Sequence, residues 1–198
     1  MRPRWIMLVA GALLLGPAGC TGPADRVDGP PPAGRSSQSV SPDERAEGLA
    51  AQRRLLADRV ASRDDYETSV GGLQRCLAAH GIALVNKGWN PVDQLSMMIW
   101  YRATDKPDEY VTGYGDSCFE AYLSAVDDEY RKTAAPTMEP RLLTSARACL
   151  VTHGITPRGG EKSMADLLAL SEESEPVTTC VKQGVSQLYP GIPVPLGW

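Results

Sequence analysis

The chain has 198 residues, with 20 Lys and Arg against 24 Asp and Glu and a formal net charge of −4. That balance speaks against a nucleic-acid binder, whose affinity rests on neutralising phosphates. No His-Glu-x-x-His, Gly-x-Ser-x-Gly elbow, phosphate-binding glycine loop or dinucleotide fingerprint occurs in it, so a non-enzymatic protein without cofactor or bound metal is expected.

Arg2 and Arg4 precede an apolar run from Trp5 to Leu15 that falls short of the roughly 20 residues a membrane-spanning helix needs. Residues 1–19 are therefore expected to be a signal peptide. Ala18 and Gly19 stand immediately before Cys20, with Pro17 where leucine is usual. The segment resembles the lipobox of bacterial lipoproteins, which implies that Cys20 becomes a lipid-bearing first residue, carrying diacylglycerol and palmitate. The implied location is the extracytoplasmic face of the cell membrane. Removing Arg2 and Arg4 leaves 18 basic against 24 acidic residues, a mature charge near −6.

Residues 20–42 are dominated by Pro, Gly, Ser and charged side chains, including Pro30, Pro31 and Pro32. Nothing periodic is available there to bury and offset the ordering entropy, so a disordered tether is expected. As a flexible coil its ends would lie about 25 Å apart.

The remainder, 43–198, suits one helical domain. The spacing predicts an N-terminal helix over 46–61 carrying Leu49, Leu56 and Val60, then a second carrying Tyr66, Val70, Leu73 and Leu77. Asn90, Pro91 and Asp93 look like a helix start, with Leu95, Met98 and Ile99 facing inward. Further stripes are Phe119, Leu123, Val126 and Tyr130; Leu142, Ala146, Cys149, Leu150 and His153; Met164, Leu167 and Leu168; and Val177, Val181, Val185 and Leu188. Short extended pieces fit Ile82–Val85 and the tail after Tyr189, where Pro190, Pro193 and Pro195 exclude a helix. The fold class expected is mainly α.

The segment Cys76-Leu77-Ala78-Ala79-His80-Gly81-Ile82 recurs as Cys149-Leu150-Val151-Thr152-His153-Gly154-Ile155, with five identities at a constant offset of 73. Each copy is followed by one downstream cysteine, Cys118 or Cys180. Two diverged helix-excursion-helix repeats result, about 64–133 and about 137–189. Four cysteines allow three connectivities. Duplication selects one bridge per copy, Cys76 to Cys118 and Cys149 to Cys180, each worth roughly 4 kcal/mol as an upper estimate.

His80 and His153, the two histidines of the chain, form Cys-x-x-x-His pairs with Cys76 and Cys149 that have the makings of zinc ligands. A His-Gly-Ile helix C-cap explains them better: an imidazole near exposed carbonyls, a glycine free to turn left-handed, and an apolar residue folding back. The acidic groups Asp127, Asp128, Glu129 and Glu172, Glu173, Glu175 lack calcium-loop spacing and are expected on solvated helix faces. Gly115-Asp116-Ser117 is similar to the start of the GDS-type esterase signature, but nothing before it reads as the required buried strand. Asp116 and Ser117 are instead expected to begin the helix carrying Cys118.

The excursion of the first repeat is longer by about a third and holds Trp89, Trp100, Tyr101, Tyr110 and Tyr114, where the second has no aromatic residue. Such rings either fill the extra core or form a binding surface, with Trp89, Trp100 and Tyr101 the candidates. The twice-used helix ending Cys-Leu-x-x-x-Gly, with its lone downstream cysteine, lipobox and proline-rich tether, resembles a loose group of actinobacterial secreted lipoproteins of unknown function. The resemblance covers 66–188 and implies a disulfide scaffold. The expected function is a membrane-anchored, non-enzymatic module that meets an envelope protein or a cell-wall glycan. The alternatives are a peptidoglycan hydrolase, which needs carboxylates or a His and an acid converging in a cleft, and a structural surface protein with every ring buried.

Overall fold

The first two helix starts are written into the chain as serines. Ser41 accepts the Glu44 amide ahead of Pro42, and Ser62 and Asp65 form a reciprocal capping box. The first two helices follow, α1 (Pro42–Leu55) and α2 (Arg63–Ala79). The computed structural model describes residues 38–192. The signal peptide, Cys20, most of the tether, and Pro193 and Pro195 lie outside the described residues.

Chain order continues with a β-hairpin, β1 (Ala83–Trp89) and β2 (Met97–Arg102), then α3 (Asp108–Tyr122), α4 (Ser124–Thr133), α5 (Pro140–Thr152), the short α6 (Met164–Leu168) and α7 (Ser174–Leu188). The protein is mainly α, with one two-stranded sheet among the described residues. Disulfides join Cys76 to Cys118 and Cys149 to Cys180. Each links an outgoing helix to a returning one, α2 to α3 and α5 to α7. The repeated helix ends are matched Schellman caps: Gly81 and Gly154 have φ of +71° and +75°. The Ile82 and Ile155 amides donate to the carbonyls of Leu77 and Leu150.

Two cores form. One gathers Tyr66, Val70, Leu73, Leu77, Ile82, Leu123, Val126 and Tyr130 around the first disulfide. The other gathers Leu142, Ala146, Leu150, Leu167, Val177, Val181 and Val185 around the second. The hairpin turn of the first repeat inserts Val92 into the second core. The Thr137 and Glu139 amides donate to the Asp93 and Pro91 carbonyls beside it.

Four expectations are corrected. The helix expected from Asn90 is the hairpin turn and β2, because Asn90 and Asp93 each accept an amide two residues on, those of Val92 and Leu95, closing Asx turns rather than a helix. The N-terminal helix ends at Leu55, and its buried residues are Gly48 and Gln52, while Leu49 and Val60 are exposed. The stripe from Phe119 to Tyr130 is split at Leu123 into α3 and α4. Asp116 and Ser117 sit inside α3, where buried Ser117 accepts the Val40 amide; the helix starts at Asp108, so Cys118 lies in its third turn.

Candidate functional site

The hairpin is the element that sets the repeats apart, and its register decides which aromatic ring faces where. Leu84 pairs with Tyr101, Val85 with Trp100 and Asn86 with Ile99, after which the register slips so that Trp89 pairs with Met97. The slip is a bulge at Lys87 and Gly88, with Gly88 at φ +86° and its amide bound to the Asn86 side chain. Strict alternation would put Trp89 on the same face as Val85. The extra residue turns it to the other face.

Inward, Trp89 packs 4.9 Å from Tyr66 and 5.3 Å from Tyr130, donates its indole N–H to Glu67, and carries the Arg63 guanidinium 4.3 Å above its ring. Tyr66 in turn donates to Asp127 at 2.7 Å. Burial, then Asp127, hold the Tyr66 hydroxyl protonated far above the ordinary tyrosine range. Asp127 is therefore buried rather than on a solvated face, paired also with Arg131. Trp89 belongs to the packing of the core.

The other face is different. Leu84, Met97, Ile99 and Tyr101 pack on the first core, so alternation aims Val85, Met98 and Trp100 away from it, together with Lys87 and Arg102. Val85, Lys87, Trp100, Tyr101, Arg102 and Gly191 line a cleft of about 520 Å³. Trp100 is half-buried and Lys87 and Arg102 are exposed. Tyr101 straddles the two faces: its ring rests on Gly115 of α3, and burial followed by the Asp116 charge push its hydroxyl up to about 12.

Elsewhere, several charged groups already have partners. A concavity of about 470 Å³ at the seam of the repeats is lined by Arg63, Glu139, Arg147 and Lys162 among others. Arg63 lies over Trp89, Arg147 is held by Glu161 at 2.9 Å, and Glu139 caps α5 while accepting the Tyr189 hydroxyl. His80 stacks on Tyr114 at 4.0 Å and bonds Glu44 at 3.2 Å; His153 is exposed. In both repeats one histidine nitrogen and both cysteine sulfurs lie within 4.8 Å of one another. The sulfurs are bonded to each other, which leaves one imidazole per cluster as a donor.

Among the described residues no helix is long and apolar enough to cross a membrane. The two disulfides are compatible with an oxidising, extracytoplasmic compartment. No family model matches the chain, and neither a curated protein nor a solved structure shows significant similarity to it.

Proposed function

We propose that this protein is a lipid-anchored extracytoplasmic binding module, held to the membrane through Cys20, that engages a component of the cell envelope with the outer face of its hairpin. The observation that carries the reading is the outward Val85–Trp100 pair, flanked by Met98, Lys87 and Arg102 on strands whose opposite face is fixed to a disulfide-linked core. An aromatic side chain held on a rigid element loses little entropy on contact and presents a large area, which is what a binding anchor requires. Among the described residues, the lining of the outer cleft includes no carboxylate and no histidine, which favours binding over hydrolysis at that place.

Retention on isolated envelopes tests this. The wild-type chain is expected to sediment with them more strongly than Trp100→Ala at equal disulfide content and circular dichroism. Cys20→Ala is expected to release the chain from membranes while leaving its retention on delipidated walls intact. Equal retention of wild type and Trp100→Ala would remove the hairpin face from the account.

A further inference from the structure

We infer that the outer hairpin face takes an anionic glycan, a sugar ring stacking on Trp100 while acidic groups of the polymer pair with Lys87 and Arg102; this rests on the binding role proposed above. The mature chain is expected to carry 24 acidic residues against 18 basic, yet β1 and β2 hold two cations, Lys87 and Arg102, and no acid. Asp116, whose charge reaches Tyr101, belongs to α3, on which the inner side of the hairpin rests.

Val85 faces Trp100 and Ala83 faces Arg102 in the register. Arg102 therefore stands two residues beyond Trp100 in one direction, and Lys87, two residues beyond Val85, stands on the opposite side of the ring. At the strand rise the Arg102 offset is about 7 Å, and Lys87, at the bulge, lines the same cleft as Trp100. A ring platform bracketed by cations suits a polymer whose acidic groups recur on both sides of a stacked sugar. Neutral glycans leave both cations unused. Nucleic acid is disfavoured, because its affinity scales with the number of phosphates neutralised and two cations on an acidic protein neutralise few.

The test uses the full lipidated chain in detergent micelles, titrated with polygalacturonate, with neutral dextran of matched length and with oligothymidylate. Polygalacturonate is expected to bind, more weakly as salt rises from about 50 to about 500 mM. Trp100→Ala is expected to weaken it by about fivefold or more, and Trp100→Phe by less. Lys87→Glu with Arg102→Glu is expected to abolish it. Because Trp100 faces away from the core, Trp100→Ala keeps the native disulfides and helical circular dichroism, so lost binding reports lost contact. Dextran binding as tight as polygalacturonate, tighter binding of oligothymidylate, or unchanged affinity in Trp100→Ala overturns the inference. Envelope retention that is sensitive to Trp100 but accompanied by no polygalacturonate binding overturns the glycan and leaves the binding module standing.

Discussion

The side-chain amide of Gln52 donates to the Ala121 carbonyl at 2.6 Å and to that of Glu120 at 2.9 Å, while its oxygen accepts the Ala125 amide at 2.7 Å. One buried glutamine on α1 thus satisfies the carbonyls at the end of α3 and an amide at the start of α4, which lets the chain break at Leu123 inside the core. Replacing it by leucine leaves those backbone groups without a partner away from water. Gln52→Leu is expected to cost roughly 3 kcal/mol, read as a lower denaturant midpoint. A change below about 1 kcal/mol would mean that the break satisfies itself.

Gly88 supplies the left-handed step that turns Trp89 inward. An alanine at φ +86° pays the steric cost of that region, about 1–2 kcal/mol. Gly88→Ala is expected to lower stability by that amount and to red-shift tryptophan emission as Trp89 loses Tyr66 and Tyr130. Trp89→Ala is expected to be the more damaging change, whereas Trp100→Ala leaves the thermal midpoint nearly unchanged.

Separate cores around separate disulfides predict separable damage. Paired serine substitutions at Cys149 and Cys180 remove a bridge closing 31 residues, costing about 3–4 kcal/mol in the chain-entropy account. Amide exchange is expected to quicken across α5 to α7 while α2 stays protected. Uniform loss of protection in both repeats would show that Val92 and its neighbours weld the cores into one cooperative unit.

The acid response is expected to begin in the second repeat. Glu161 is held below the usual carboxylate range by its own amide, with the Arg158 amide and the Arg147 guanidinium adding to it against burial. Asp166 is held low by the Lys162 amide and the Ser163 hydroxyl. Burial raises Glu139, but the Tyr189 hydroxyl and the Leu142 and Arg141 amides outweigh it. Depressed folded pKa values give stability that is present above the unfolded values and lost as pH falls through the folded ones. Amide resonances of 140–188 are therefore expected to collapse before those of 66–130 as pH drops below about 4. At the alkaline end the sign reverses: Tyr101 and Tyr189 are pushed up to about 12, so their contribution is full below about 10 and lost as pH rises through 12.

Periodicity made α2, α5 and α7 legible, because their stripes bury against one core each. The duplicated Cys-Leu-x-x-x-Gly ends marked both caps and both bridges, since each copy had to close on itself. Part of what escaped was set by distant partners. The α3–α4 break is stabilised by Gln52, about 70 residues earlier, and Asp127 is drawn inside by Tyr66 across 61 residues. At Asn90 and Asp93 the side chains that would cap a helix close turns instead, and Leu95, Met98 and Ile99 mimic a helical stripe that the strand alternation of Met97, Ile99 and Tyr101 overrides. Of the candidate rings, Trp89 went to the core through the bulge at Gly88, and Trp100 kept the outer face.

Hydroxyl-radical footprinting of the full chain, free and bound to isolated envelopes, tests the central claim most directly. Oxidation of Trp100 and Met98 is expected to fall on binding while that of Trp89, already packed on Tyr66, stays the same. Unchanged labelling of Trp100 and Met98 in the bound state would contradict the assignment of the outer hairpin face as the binding surface.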